Sequence, residues 1–379
     1  MLSIAVFTAG FTLCSLLLSV FLRTPLVEWF GDSPDHRKVH WRIVPRFGGL
    51  AMVASFLTLL AFAPLIPGYG NFGKIIRLFP SFFITGGFLL LSGTLDDVRP
   101  VSFKLKFALQ FALAGILVLI LKNGFNSFSF LGYRMDLEGA GNFISIFWLV
   151  LLMNAINIID GIDGLAGGTA LFGFASVAMV ARSGGQSGLA WLCVLLIGIT
   201  AAFLFRNFHP RRKVFLGDTG SQFLGAMLGL LTMQVQGLTG VGHSLLIPLL
   251  IVGYPLADLG IAMARRFIAP GAVAPIDRFL RMFEADNDHL HHRLVHLGLS
   301  HAQSSFLLLL MAATFPAGAF ILARTEWRGT VAVFGYLAFM ILMILNHLGF
   351  VGKRHWVVSR KRENPLRDEK RRERFKLAQ

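Results

Sequence analysis

The fold class this sequence predicts is an all-α bundle embedded in a membrane, and three observations carry that expectation. The chain has 379 residues, 55% hydrophobic and only 15% charged, whereas a soluble globular chain carries about 25% charged residues. Apolar runs recur from end to end, each near the roughly 20 residues needed to cross a bilayer. They lack the alternation of short segments that a membrane β-barrel requires. Backbone groups in lipid must then be satisfied inside each run, which means helices.

Taken in order, helices are expected at 2–22, 47–66, 78–95, 105–122, 142–159, 167–182, 188–206, 220–236, 243–263, 304–323 and 330–350. This gives about eleven spans in one catalytic bundle over residues 1–352, followed by a basic tail at 353–379. The first run has no basic residue before Arg23 and no small-residue cleavage pattern. It reads as a retained helix with the N-terminus outside. Under strict alternation, 28 of the 35 Lys and Arg fall in the segments 23–46, 99–106, 206–213, 265–293 and 353–376. These are therefore cytoplasmic, and so is the C-terminus. The net charge of +15 points to an anionic leaflet and anionic substrates, not to nucleic acid. The tail, with 11 basic and 4 acidic residues from Lys353 to Lys376, reads as an electrostatic membrane attachment. Cys14 and Cys193 sit inside apolar runs and read as packed helix residues.

Acidic residues are scarce, so their positions are informative. Asp96, Asp97, Asp160, Asp163 and Asp218 all fall at helix ends on the expected cytoplasmic face. A carboxylate beside a membrane segment is costly and normally marks function. Asp96 and Asp97 are adjacent and precede Lys106; such a pair suits Mg²⁺ binding or general-base work. Asn154, Asn157 and Asp160 share one helical stripe, and the glycines around Asp163 break the helix after it. Gly217-Asp218-Thr219-Gly220 opens the helix expected at 220–236. A helix start with glycines favours phosphate, while an ordinary Asp cap is the plainer reading. The segment Asp286-Asn287-Asp288-His289-Leu290-His291-His292-Arg293 lacks cysteine and common zinc spacing. Its imidazoles and Arg293 suit a diphosphate or a sugar as hydrogen-bond donors. Lys38, His40 and Arg46 precede Gly48-Gly49 and suit an anionic headgroup or nucleotide phosphate.

In this order the motifs resemble the polyprenyl-phosphate N-acetylhexosamine-1-phosphate transferases, the glycosyltransferase 4 family that includes the muramoyl-pentapeptide and dolichyl-phosphate enzymes. The motifs carrying the resemblance are Arg37-Lys38-Val39-His40 with Val44-Pro45-Arg46, Leu95-Asp96-Asp97, Lys104-Leu105-Lys106 with Gln110, Asn154 through Gly168, Phe215 through Ser221, and Asp288 through Ser300. The resemblance implies transfer of a HexNAc-1-phosphate, GlcNAc-1-phosphate foremost, from a UDP-sugar to undecaprenyl phosphate, with UMP released. It implies Mg²⁺, with Mn²⁺ as a substitute, held by Asp218 and approached by Asn157. Asp96, Asp97, Asp160 and Asp163 would be catalytic. Lys38, His40, Arg46, Lys106, Asn154, Asn157, His289, His291, His292 and Arg293 would bind substrate. Asp258 falls on a family-like position without a firm role. The separated histidines depart from the contiguous triplet of the muramoyl-pentapeptide enzymes and argue against that substrate. The expected setting is a bacterial inner membrane with a cytoplasmic active site, and a homodimer is compatible with it. Intramembrane carboxylates and broken helices would also suit an ion-coupled transporter. The gathering of the acids at one face, not at the midplane, argues against that class.

Overall fold

The structure is a computed structural model, and it describes residues 1–32, 43–65, 78–130, 133–235, 238, 246–268, 276–278, 289–324 and 335. The described elements are α1 (Leu2–Phe21), α2 (Leu26–Trp29), β1 (Gly31–Asp32), β2 (Val44–Pro45), α3 (Gly48–Phe62), α4 (Phe79–Val98), α5 (Phe103–Gly115), β3 (Ser127–Phe130), β4 (Tyr133–Asp136), α6 (Glu138–Ile159), α7 (Leu165–Ser183), α8 (Ser187–Asn207), α9 (Gly217–Val235), α10 (Leu246–Ile251), α11 (Gly253–Ile268), α12 (Leu290–His296) and α13 (His301–Leu322). Met1–Asp32 and Val44–Trp327 form one compact unit; of the second, 33–43 and 328–379, only Ile43 and Gly335 are described. The expected helix at 330–350, Gly335 apart, and the basic tail lie outside the described residues.

Eight described helical stretches are long and apolar enough to cross a membrane: 2–21, 48–65, 79–98, 103–120, 138–159, 165–183, 187–207 and 301–322. The protein is an all-α integral membrane protein in its main architecture. Two small antiparallel pairs depart from the all-α expectation. β1 pairs with β2, and β3 pairs with β4 in the register Ser127↔Asp136 to Phe130↔Tyr133. The period-two pattern Ser-Phe-Ser-Phe at 127–130 is a strand signal that the long apolar runs on either side obscure.

The expected helix at 243–263 is broken into α10 and α11. Pro255 has no N–H to continue the ladder, and the Phe315 ring occupies the side-chain space of Gly253. The expected helix at 105–122 starts earlier, on a Ser102 cap, and ends in a π-helical turn at 116–120.

α9 is the centre of the bundle. From Thr219 to Met233 every residue is buried, against α3, α4, α6, α7 and α10. A helix buried on all sides need not be uniformly apolar, and α9 carries Asp218, Gln222 and Thr232. α1 is peripheral and buries only Gly10, Cys14 and Leu18, one stripe that packs on α8.

Candidate active site

The site forms where the ends of α3, α4, α6 and α9 converge, and small residues permit that convergence. A Cβ on Gly93 of α4 would lie 2.6 Å from Thr219 Cα, and one on Gly220 would lie 2.8 Å from Gly49 Cα. The segment before α3 docks on the segment before α9: Phe215 N–H donates to Pro45 O at 2.8 Å, Gly48 N–H to Phe215 O at 3.0 Å and Gly49 N–H to Leu216 O at 2.8 Å. Gly217 has φ +75°, a backbone state that an L side chain resists.

This packing brings Asp97, on the last turn of α4, onto the first turn of α9. Asp97 Oδ1 accepts from Asp218 N–H at 2.6 Å; Oδ2 accepts from Thr219 N–H at 3.1 Å and from the Thr219 hydroxyl at 2.5 Å. The α9 start was expected to offer these amides to phosphate. That expectation is corrected: a carboxylate from another helix occupies both. The physical reason is that orphan N–H groups at a buried helix start require a partner, and Asp97 is packed within reach.

Asp218 is thereby released from capping its own helix. Its Oδ1 accepts from Lys106 Nζ and, at 2.8 Å, from Asn157 Nδ2, which also reaches Ser221 Oγ at 2.7 Å. Lys106 Nζ also meets Asp96 Oδ2 at 3.0 Å, so one ammonium bridges two carboxylates. Asp96 Oδ1 accepts from Val101 N–H at 2.9 Å. Asn154 Nδ2 donates to Gln110 Oε1 at 2.6 Å and to Val150 O at 2.7 Å, and Gln110 donates to Gln222 Oε1 at 3.0 Å. The expected stripe of Asn154, Asn157 and Asp160 thus exists, with Asn154 joined to a buried chain of amides.

The turn after α6 supplies Asp160 and Asp163. Burial, then the carboxylates of Asp218, Asp97 and Asp163, push Asp160 well above the usual carboxyl range, and Arg46 opposes them. Asp163 pairs with Lys213 through Oδ2, and its carbonyl accepts from Ser305 Oγ at 2.6 Å. Gly164 has φ +76°, and its N–H donates to Asn207 Oδ1 at 2.7 Å. Asn207 in turn donates to Val214 O at 2.9 Å. These contacts fasten the turn to the loop leading into α9.

The histidine segment reaches the same turn. Both nitrogens of His291 are buried without a hydrogen-bond partner among the described residues. Its ring occupies the space beside Gly161 where a Cβ would stand. Burial first, then His292, pushes the His291 imidazole down to about 4. His292 is also lowered, by burial and then by His289. Its ring lies 4.1 Å from that of His291.

The structure therefore brings together Arg46, Asp96, Asp97, Lys106, Asn154, Asn157, Asp160, Asp163, Asp218 and His291. His289, His292 and Arg293 stand on the same short segment, at the start of α12. Lys38 and His40 lie outside the described residues. Sequence reasoning missed Asn207, Gln222, Thr219 and Lys213 as fasteners of the site. Thr219 and Gln222 sit in a segment already marked by Asp218, whereas the position of Asn207 carries no local signal.

The sequence profile described as glycosyl transferase family 4 matches residues 79–236, which hold Asp96 through Asp218. A Bacillus subtilis (strain 168) protein named "Probable undecaprenyl-phosphate N-acetylglucosaminyl 1-phosphate transferase" is 34% identical over 86% of this chain and 88% of its own length. This chain belongs to glycosyl transferase family 4. The undecaprenyl-phosphate alpha-N-acetylglucosaminyl 1-phosphate transferase of Escherichia coli (strain K12) is 28% identical over 91% of this chain and 92% of its own length. The protein of the same name from Salmonella typhimurium is 29% identical over 92% and 93%. These matches extend over the α12 segment as well as the profile region.

Proposed function

We propose that this membrane phosphotransferase moves GlcNAc-1-phosphate from UDP-GlcNAc to undecaprenyl phosphate and releases UMP. Named relatives covering most of the chain support the reaction. The observation that carries it onto this site is the Asp96–Lys106–Asp218 bridge, which joins the end of α4 to the starts of α5 and α9. Phosphoryl transfer needs positioning and charge neutralisation more than covalent chemistry, and this cluster concentrates both.

In the reaction, a phosphate oxygen of undecaprenyl phosphate attacks the sugar-linked phosphorus of the donor. The bond from that phosphorus to the bridging oxygen breaks, and the electron pair leaves with UMP. Asp96 or Asp97 takes the last proton of the lipid phosphate, a role worth about 10²–10⁴ in rate. The hydrogen bonds differ: Asp97 is engaged by three donors at the α9 start, whereas Asp96 shares the Lys106 ammonium. Lys106 offers its ammonium to the incoming phosphate. Asn157 and Asp218 orient the donor diphosphate.

A Mg²⁺ ion fits this donor set. Among the described residues no hydrogen bond uses Asp218 Oδ2 or the side-chain oxygen of Asn157, and both are hard oxygen ligands. No three His, Cys or acidic side chains form a cage among the described residues. A cation here would complete its shell from substrate phosphate and water, the habit of Mg²⁺. When bound, it would supply charge neutralisation to the diphosphate.

The positive-inside distribution supports a cytoplasmic active site in the inner membrane, with about eleven spans, the N-terminus outside and the tail inside. The soluble donor then arrives from the cytoplasm and the lipid laterally. The test is purified protein in detergent with UDP-GlcNAc and undecaprenyl phosphate, with and without EDTA. Formation of the lipid-linked sugar that EDTA stops and Mg²⁺ restores is expected. Activity indifferent to EDTA would remove the metal from this account, and no product would remove the function.

A further inference from the structure

We propose that Asp258 is a positioning residue for the sugar-nucleotide side of the site: with one carboxylate it sets the tautomer of His289 and the start of α12. The proposal rests on the function given above. Asp258 lies on α11 and is 1% exposed. Its Oδ2 meets His289 Nδ1 at 3.0 Å, and its Oδ1 accepts from Leu290 N–H at 2.9 Å. An ionised carboxylate can only accept. The ring proton of a neutral His289 is therefore on Nδ1, and Nε2 presents a lone pair.

The second bond replaces a missing cap. His289 is the N-cap residue of α12 and makes no side-chain cap bond, so the first turn takes its acceptor from α11. A helix fastener alone would need one acceptor; the pairing with Nδ1 does something more, because it fixes a ring. A buried carboxylate is costly unless paired, and the Tyr254 hydroxyl one turn earlier has no partner among the described residues. His289 and Leu290 thus account for both oxygens of Asp258.

From His289 the contacts lead into the site. Its ring stacks on that of His291 with centroids 6.2 Å apart and planes 8° apart. His291 abuts Gly161, next to Asp160. α12 has seven residues, too few to cross a bilayer, and its start falls in the 265–293 segment that the Lys and Arg distribution assigns to the cytoplasm, the side from which a soluble donor arrives. A carboxylate that fixes His289 therefore acts on the donor, not on the lipid.

The replacement Asp258→Asn separates the two jobs. Its side-chain oxygen still accepts from Leu290 N–H, but its NH₂ faces His289 Nδ1 and forces the proton to Nε2. The expected result is a KM for UDP-GlcNAc raised on the order of tenfold, the effect of one misdirected hydrogen bond. The KM for undecaprenyl phosphate should stay within about twofold, with thermal stability in detergent close to wild type. His289→Gln should show the same donor defect, and the double variant should be no worse than the worse single one. Unchanged donor KM in Asp258→Asn overturns the proposal, as does a defect confined to the lipid or one that multiplies in the double variant. If Asp258→Asn does not accumulate in the membrane, His289→Gln decides alone, and a wild-type donor KM there overturns the proposal. Wild-type protein inactive on UDP-GlcNAc overturns the function and the proposal together; active wild type with indifferent variants overturns only the proposal.

Discussion

The starts of α9 and α12 make an instructive pair. In each, a carboxylate from a different helix accepts the first amides: Asp97 of α4 for α9, Asp258 of α11 for α12. In each, the polar residue at the helix start is thereby released from capping. Asp218 turns its carboxylate to Lys106 and Asn157, and His289 turns its ring to Asp258. The surroundings differ. Charged and amide partners meet the α9 start, whereas His291, in the first turn of α12, is buried with neither nitrogen paired among the described residues. At one start a single ammonium is shared by two carboxylates. At the other, imidazole rings stand together, with that of His291 against Gly161 of the Asp160 turn.

The sharpest way to break the comparison is to remove the released group at α9. Asp218→Asn should cut turnover by about 10³-fold or more, the scale lost with a principal electrostatic group, while the protein still folds. Near-normal turnover with unchanged Mg²⁺ dependence would remove Asp218 from the centre of the site.

Next come the paired acids. Asp96→Asn and Asp97→Asn should each slow turnover at least about 100-fold. They should separate on stability. Asp97→Asn places an NH₂ among donors and should lose about 1–3 kcal/mol in a detergent unfolding titration. Asp96→Asn, which retains an acceptor for Val101 N–H, should unfold close to wild type. Equal destabilisation would contradict the assignment of Asp97 as the cap of α9.

A smaller effect is expected on the α12 side. Gly161→Ala puts a methyl where the His291 ring stands and should raise the donor KM on the order of tenfold with little change for the lipid. An unaltered donor KM would uncouple the histidines from the Asp160 turn.

How far was this legible in the sequence? Eight of the eleven expected spans were, because an apolar run of bilayer length has one main structural solution. The gathering of Asp96, Asp97, Asp160, Asp163 and Asp218 at one end was also legible, because charge beside lipid is costly and topology fixes which ends coincide. The partners were not. Asp97 meets Asp218 across 121 positions, and helical periodicity reports a face without saying which helix lies opposite. Asp218 could be read as an ordinary cap because the true cap lies on α4. Asp258, inside an apolar run, gave no sign that it serves His289. The centrality of α9 was hidden by its modest apolar content, which follows from burial among helices, not lipid.

The smallest effect is a pH slope. His291 is pushed down to about 4 from an ordinary 6.5, chiefly by burial, with His292, His289 and His301 adding to it and Asp258 opposing. Between these values the unfolded chain binds a proton that the folded protein refuses, so stability is present above 6.5 and falls as pH drops toward 4. Melting temperature against pH should show this fall, and His291→Gln should flatten it. An identical slope in the variant would place the titration elsewhere.

The most direct test of the central claim is the identity of the leaving nucleotide. The claim is that the bond broken lies between the two donor phosphorus centres, at the Asp96–Lys106–Asp218 cluster. Purified enzyme with UDP-GlcNAc and undecaprenyl phosphate should release UMP, one for each lipid-linked GlcNAc diphosphate formed, and Asp218→Asn should lose both products together. Release of UDP instead would mean that the sugar–oxygen bond is cleaved, and would contradict the account.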